Sequence, residues 1–337
     1  MKVLSGLSQV EIEEFLEPFN VSKFRARQIH QWIYAKYASS FDEMTDLSKS
    51  LREELAKSAV IPLAKIAKKQ VSSDGTVKYL LEYADGECVE TVLMRFDNRS
   101  NLTACVSCQV GCAMNCAFCQ TGKRGFIRNL TPQEIIEQVL TIQRDLKVKV
   151  TNVVFMGQGE PLLNYNNVLS AIKLLNDELT IGARRITVST CGIVPNIIKL
   201  ADIDFKPTLA ISLHAPTTEL RKQIMPVENK YNLDELKKAL KYFIDKTKNR
   251  ITIEYTLIGG LNDDIYTAQK LAKFLLDLKC NINLILYNPI KNDVFKRPKK
   301  DDIYKFKYIL ESSGKKVTTR LERGADIAAA CGQLAGE

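Results

Sequence analysis

The chain has 337 residues, 45% of them apolar and 26% charged, and carries a net charge of +9. That length fits one large α/β domain with a small accessory domain, and the absence of any run of eighteen apolar residues excludes a helical membrane span. The positive balance favours a polyanionic partner, nucleic acid first, although a lysine-rich solvated surface produces the same number.

The opening Met-Lys-Val-Leu-Ser-Gly-Leu lacks an apolar signal segment, so a cytoplasmic location is expected. Ser8-Gln-Val-Glu11 has the form of a capping box and predicts a helix over 10–18. Ile29, Trp32, Ile33 and Tyr37 share one face of a second helix over 24–37, and Leu47, Leu51 and Leu55 one face of a third over 46–59. Residues 1–70 thus read as a small basic helical domain, able to bind RNA backbone or simply to pack as a cap. Residues 71–97 read as a β-hairpin: Lys78–Tyr83 and Cys88–Met94 are strand-like, with Ala84-Asp85-Gly86 as the turn. Glu90 lies in the second of these strands, where a carboxylate ordinarily faces solvent.

From residue 98 to 337 strands and helices alternate. Strands are predicted at 102–108, 152–157, 185–190, 208–214, 250–258, 281–288 and 317–322. Helices are predicted at 132–147, 165–178, 194–202, 232–247, 264–278 and 300–313. Repeated βα units imply a parallel sheet, and six of them can curl into an incomplete barrel. Ligands of such sheets bind at the C-terminal strand ends. There the sequence puts Met156-Gly-Gln-Gly-Glu160-Pro, Ser189-Thr-Cys-Gly192, Ser212-Leu-His214 and Tyr287-Asn288-Pro289.

The first strand runs into Cys105-Val-Ser-Cys108-Gln-Val-Gly-Cys112-Ala-Met-Asn-Cys116-Ala-Phe-Cys119, which holds five of the nine cysteines. An odd, uneven set suits metal or catalytic use better than a disulfide framework. Cys112, Cys116 and Cys119 form a CxxxCxxC run of the kind that holds iron–sulfur clusters. Three thiolates leave one iron of a four-iron cluster open for chemistry. Zinc is the rival, with Cys108 or His214 as fourth ligand. On pattern alone Cys331, in Ala-Ala-Ala-Cys, reads as a small core residue; Cys105 and His214 also fit core positions, as do Cys88, Cys191, Cys280 and His30.

The CxxxCxxC run opening a βα barrel, with Gly159-Glu-Pro161, resembles the radical S-adenosylmethionine (SAM) superfamily. Val89-Glu-Thr-Val92, the Ser-Cys-Gln-Val-Gly-Cys run at 107–112, Gly157-Gln-Gly-Glu-Pro161, Ile211-Ser-Leu-His-Ala-Pro216 and Ala329-Ala-Cys331-Gly-Gln-Leu334 narrow the resemblance to its dual-specificity rRNA/tRNA adenine-C2 methyltransferases. Phe24-Arg-Ala-Arg-Gln and Phe41-Asp-Glu-Met-Thr-Asp-Leu extend it into the helical region. The resemblance implies an incomplete (β/α)6 TIM-like barrel with an N-terminal helical domain and a β-hairpin extension. It implies a [4Fe–4S] cluster on Cys112, Cys116 and Cys119, with SAM held by Gly159, Glu160, Ser189, Ser212, Leu213, His214 and Asn288.

It also assigns chemistry. Cys331 would take a methyl group from one SAM, and a radical made from a second SAM would activate that methyl group for addition to adenine C2. Cys105 would then attack the Cys331 sulfur to release the product in a transient disulfide, and Glu90 would accept the C2 proton. The implied substrates are 23S rRNA and adenine 37 of some tRNAs. An electron donor such as flavodoxin or ferredoxin, a monomeric state and no membrane partner complete the expectation. Cys108 departs from the pattern, standing where a hydroxyl residue is expected, and Ala325 and Ala328 stand where acidic residues are frequent.

RNA contacts are expected from Lys123, Arg124, Arg128, Arg184, Arg185, Lys315, Lys316 and the Lys296-Arg297-Pro-Lys-Lys300 loop. The target adenine must leave its stack to enter a barrel. Two alternatives remain: an adenine-C8 methyltransferase of the antibiotic-resistance type, and a non-catalytic metal-cluster protein that binds RNA.

Overall fold

The computed structural model describes residues 1–62, 64–96, 99–290 and 294–336. Asp97 and Asn98, at the boundary drawn between hairpin and barrel, and Glu337 lie outside the described residues.

In chain order, β1 (Lys2–Val3) precedes three helices, α1 (Gln9–Leu16), α2 (Lys23–Tyr34) and α3 (Lys49–Ser58), and β2 (Ala59–Val60) pairs back on β1. Ser8 accepts the Glu11 amide and Glu11 reaches back to Ser8, so the predicted capping box forms. Such a cap is worth about 1 kcal/mol. Ile12, Leu16, Ile29, Ile33, Leu51 and Leu55 turn inward, each at most 7% exposed, which is what makes three short helices a stable unit.

Three antiparallel strands follow: β3 (Lys65–Val71), β4 (Val77–Glu82) and β5 (Cys88–Phe96). The predicted hairpin is β4–β5. β3 is an additional edge strand, and its lysines discourage pairing with another chain.

Then comes β6 (Arg99–Cys105), followed by β7 (Gln109–Gly111), α4 (Gln120–Arg124), β8 (Phe126–Asn129) and α5 (Pro132–Leu146). The alternation continues through β9 (Asn152–Phe155), α6 (Tyr165–Asp177), β10 (Ile186–Thr190), α7 (Val194–Asp202), β11 (Thr208–Ser212), α8 (Thr218–Ile224), α9 (Leu233–Thr247), β12 (Ile251–Leu257), α10 (Ile265–Leu275), β13 (Cys280–Leu286), α11 (Lys300–Ser312) and β14 (Lys316–Thr319).

All of this hangs on one ten-stranded sheet, in the order β14-β13-β12-β11-β10-β9-β6-β5-β4-β3. Strands β6 and β9 to β14 run parallel, so the six expected barrel strands are present, with β14 added at one edge and the hairpin extension at the other.

Strand parity decides what the barrel encloses, since successive side chains face opposite ways. Ile186 and Val188, Leu209 and Ile211, and Ile251, Ile253, Tyr255 and Leu257 are fully buried in the core. The alternate residues Ser189, Ser212, Glu254 and Thr256 face the interior cavity. Among the described residues no helix is long and apolar enough to cross a membrane.

Candidate active site

The loop after β7 carries Cys112, Cys116 and Cys119, all half-buried in the wall of one cavity in the barrel. Backbone bonds fix this loop from several sides. The Cys112 amide donates to Gly125 O (2.9 Å), Ala117 to Ile224 O (3.0 Å) and Gln120 to Gly332 O (2.8 Å). Burial pushes the Cys112 thiol up to about 12 and Cys116 well above the ordinary thiol range. Thiols in such surroundings ionise only when a cation joins them, so a positively charged iron cluster fits this donor set.

Zinc fits less well. Among the described residues no three His, Cys, Asp or Glu side chains cluster closely enough to hold a single metal ion. Cys108 is 1% exposed and its thiol donates to Gln158 O at 3.5 Å, away from the loop. A four-iron cluster takes one thiolate per iron and tolerates the wider spread.

The opposite wall contains Gly157, Gly159, Glu160, Ser189, Ser212, His214 and Asn288. Two glycines let the segment after β9 pass close to residues 106–109, which lead into the three-cysteine loop. A Cβ on Gly157 would stand 2.7 Å from the Val106 carbonyl, and one on Gly159, whose φ is +97°, would stand 2.5 Å from the Gln109 side chain. Glu160 is 4% exposed, and its carboxylate accepts the Leu162 and Cys191 amides at 2.9 and 2.7 Å. Burial raises its affinity for a proton. Two amide bonds leave lone pairs free for an ammonium.

His214 adopts φ +56° at the β11 exit. Its Nδ1 accepts the Thr256 amide at 2.9 Å, which puts the ring proton on Nε2. Burial, and secondarily the charge of Arg221, pushes its pKa down to about 3, so the ring is neutral. Ser189 and Ser212 face each other at 3.4 Å between hydroxyls. Leu213 differs from its neighbours: its side chain is fully buried in the core, and it is not in the cavity wall.

Among the described residues of the cavity wall, three hold buried polar atoms without a hydrogen-bond partner: Glu254 Oε2, the Tyr287 hydroxyl and Asn288 Oδ1. Each costs about 1–3 kcal/mol unless a ligand or water meets it. A polar, zwitterionic, hydroxyl-bearing ligand such as SAM suits that wall.

Cys331 lies in the turn after the last strand and lines this cavity too. Asn288 Nδ2 donates to its carbonyl at 3.1 Å. A smaller adjoining cavity has Cys105, Cys119, Met156 and Cys331 in its wall. The fold therefore brings together the two cysteines that the sequence paired only through resemblance. Both are free thiols, and burial pushes Cys105 up to about 12, with Cys331 adding to the shift.

Glu90 is placed differently from its expected position. It is 2% exposed, which overturns the ordinary solvent-face reading. Neither cavity has it in the wall. Its Oε1 pairs with Lys78 at 2.8 Å, and its Oε2 accepts the Ala335 and Gly336 amides at 2.6 and 2.9 Å. The C-terminal segment covers it, so in this conformation the carboxylate is occupied rather than poised for a substrate proton.

The basic residues sort by position. Arg184–Arg185 and Lys315–Lys316 stand at the N-terminal ends of β10 and β14, on the end of the barrel opposite the cavity mouth. Arg124 donates to Cys88 O and to the Ala335 and Gly336 carbonyls, and Arg128 is matched by Asp85 and Glu134. Residues 123–128 follow the three-cysteine loop and 294–300 lie between β13 and α11, at the C-terminal end of the barrel strands, and most of the arginine charge at 124–128 is committed within the protein. Two charged cavity residues escaped the sequence reading, Glu254 within β12 and Arg320 just beyond β14. Their one signal was parity: Glu254 shares the inward register of Thr256.

Comparison with known proteins fits this geometry. Residues 106–272 match the model of the radical SAM superfamily, and residues 3–61 that of the ribosomal RNA large subunit methyltransferase N-terminal domain. A relative from Clostridium novyi, named probable dual-specificity RNA methyltransferase RlmN, is 47% identical over 99% of this chain and 98% of its own length. A namesake from Thermotoga petrophila is also 47% identical, over 99% and 97%. The crystal structure of a radical SAM methyltransferase from Sphaerobacter thermophilus superposes over all of both chains with a TM-score of 0.95 at 42% identity. The chain therefore belongs to the radical SAM superfamily and, within it, to the RlmN family.

Proposed function

We propose that this chain is a radical SAM RNA methyltransferase that methylates carbon 2 of an adenine in 23S rRNA and adenine 37 of some tRNAs. The observation that carries the reading is that Cys105 and Cys331, remote in sequence, line one small cavity next to the three-cysteine loop.

Cys112, Cys116 and Cys119 would hold the [4Fe–4S] cluster, which when bound supplies the electron that cleaves SAM to a 5′-deoxyadenosyl radical. Gly159 and Glu160 serve the amino end of SAM. Ser189, Ser212, His214 and Asn288 complete the pocket. As a thiolate, Cys331 accepts a methyl group from one SAM, and a second SAM serves the radical step, giving two per turnover. Once the adduct has given up one electron to the donor system and its C2 proton, Cys105 would attack the Cys331 sulfur; the carbon–sulfur electron pair goes to the base carbon, which takes a proton as methyl, and a disulfide that needs reduction is left. Glu90 takes the C2 proton once the segment at 335–336 lifts from it. The remaining parts of the reading are a flavodoxin- or ferredoxin-type donor, a monomer and a cytoplasmic setting.

The test is anaerobic reconstitution with methyl-labelled SAM and RNA fragments, comparing the parent with Cys331→Ala. The expected result is labelled 2-methyladenosine from the parent. The variant should give none while retaining its iron and sulfide. Equal methylation by the variant would remove the mechanism, and a label at C8 would replace C2 by the resistance-type activity.

A further inference from the structure

Arg221, within α8, is a fully buried arginine. Its guanidinium donates in three directions: Nε to Leu213 O at 3.2 Å, Nη2 to Cys191 O at 2.6 Å and Nη1 to Glu228 Oε2 at 2.7 Å. Glu228 is equally enclosed, and its other oxygen accepts the Thr218 hydroxyl at 2.8 Å and the Leu233 amide at 3.0 Å. An ion pair buried on both sides gains little net stability over apolar side chains of similar size, so stability alone is a weak account of this one. Arginine suits placement instead, because its planar fork fixes several partners at once.

Two of its partners border the cavity. Cys191 directly follows β10 and Leu213 directly follows β11. The Cys191 amide is one of those that hold Glu160, so Arg221 grips by its carbonyl the same residue that steadies that carboxylate. Leu213 precedes His214, whose φ of +56° is a left-handed backbone. Arg221 bonds the carbonyl before that ring, and Asn262 Nδ2 bonds the carbonyl of His214 itself at 2.8 Å. A strained residue persists when its surroundings over-determine it in this way. At its far end α8 closes with Ile224, whose carbonyl accepts the Ala117 amide at 3.0 Å, and Ala117 lies between Cys116 and Cys119. The next residue, Met225, is in the cavity wall. One buried side chain thus anchors a short helix to two strand exits, and the end of that helix holds the three-cysteine loop.

We propose that Arg221 is a positioning residue: with Glu228 it fixes, through α8, the spacing between the three-cysteine loop and the wall that carries Glu160 and His214, so that cluster and SAM meet in one site. The inference rests on the cluster-and-SAM reading given above. Arg221 touches neither group and takes no part in bond making; it decides where two walls of the cavity stand. A pair that served stability alone would set the Tm and leave the spacing of those walls to other contacts.

The experiment compares the full-length parent with Arg221→Met and Arg221→Lys. It reads hydrogen exchange in the cluster-free protein, then SAM affinity and the electron paramagnetic resonance spectrum of the reduced cluster, with and without SAM, after reconstitution. Lysine keeps a charge for Glu228 but loses the fork that reaches both carbonyls. In both variants exchange at 116–119 and at 190–193 should rise together. The Kd for SAM should rise roughly tenfold, the scale of one lost charged hydrogen bond, and the change that SAM makes in the spectrum should shrink, at equal iron and sulfide. A folded Arg221→Lys with the parent's SAM affinity and spectrum overturns the inference, whatever its Tm. Should neither variant assemble, the parent decides: SAM should slow exchange at 116–119 and 190–193 together, and protection of one segment without the other overturns the coupling. A reconstituted parent that binds no SAM would instead overturn the reading of the site.

Discussion

The cluster loop and the sulfur pair present thiols to the same space, yet the chain builds them in opposite ways. Cys112, Cys116 and Cys119 are neighbours in sequence, and a single loop carries all three, pinned by the local bond to Gly125 and by remote ones to Ile224 and Gly332. Cys105 and Cys331 meet only because β6 and the turn beyond β14 are joined through the whole sheet and the C-terminal segment is stitched over the cavity. Gln120 holds Gly332, Thr121 holds the Leu334 carbonyl, and Asn288 holds the Cys331 carbonyl. The first arrangement suits a cofactor that must stay put. The second suits sulfurs that exchange partners, since a few hydrogen bonds of about 1 kcal/mol each can be broken and remade.

The sharpest way to break the comparison is to attack each half alone. Cys116→Ala should abolish the cluster, leaving both SAM cleavage and RNA methylation below detection by iron analysis and 5′-deoxyadenosine assay. Cys105→Ala should leave iron content unchanged and stall after the base is joined to Cys331, seen as an RNA–protein adduct on denaturing gels. An adduct-free variant with normal turnover would deny the pair its distinct role.

Gly159→Ala tests the crowded floor between the two halves. The left-handed backbone and the 2.5 Å overlap with Gln109 should cost about 1–3 kcal/mol in stability, read as a lower Tm, and weaken SAM binding. Unchanged SAM affinity would show that the floor can give way.

At neutral pH the smallest effect is expected at His214. Its folded pKa of about 3 lies below the ordinary 6.5, so the unfolded chain binds this proton more readily. Stability from this group is intact above about 6.5 and declines as pH falls toward 3, by up to about 1.4 kcal/mol per unit. His214→Gln should flatten that part of the pH–stability curve in denaturant titrations, and an unaltered slope would contradict the buried neutral ring.

The barrel was readable because its strands are short apolar runs separated by amphipathic helices, and predicted and observed spans agree within a few residues for β9 to β13 and for α5, α6, α7 and α9. β3 went unread because an edge strand rich in lysine resembles a loop. The short helices α4 and α8 were missed because each is too brief to show a repeat. Arg320 and Glu254 were passed over because a charge near a strand normally marks its solvent face.

By itself the sequence determined the three-cysteine spacing of the loop, the order of βα units and the family, since these depend on local spacing and pattern. Tertiary structure alone decided that Cys105 and Cys331 share a cavity, that Glu90 lies under the C-terminal segment, and that Arg184–Arg185 and Lys315–Lys316 stand at the far end of the barrel. Each of those facts depends on where distant strands end in space, and periodicity along the chain carries no information about which ends meet.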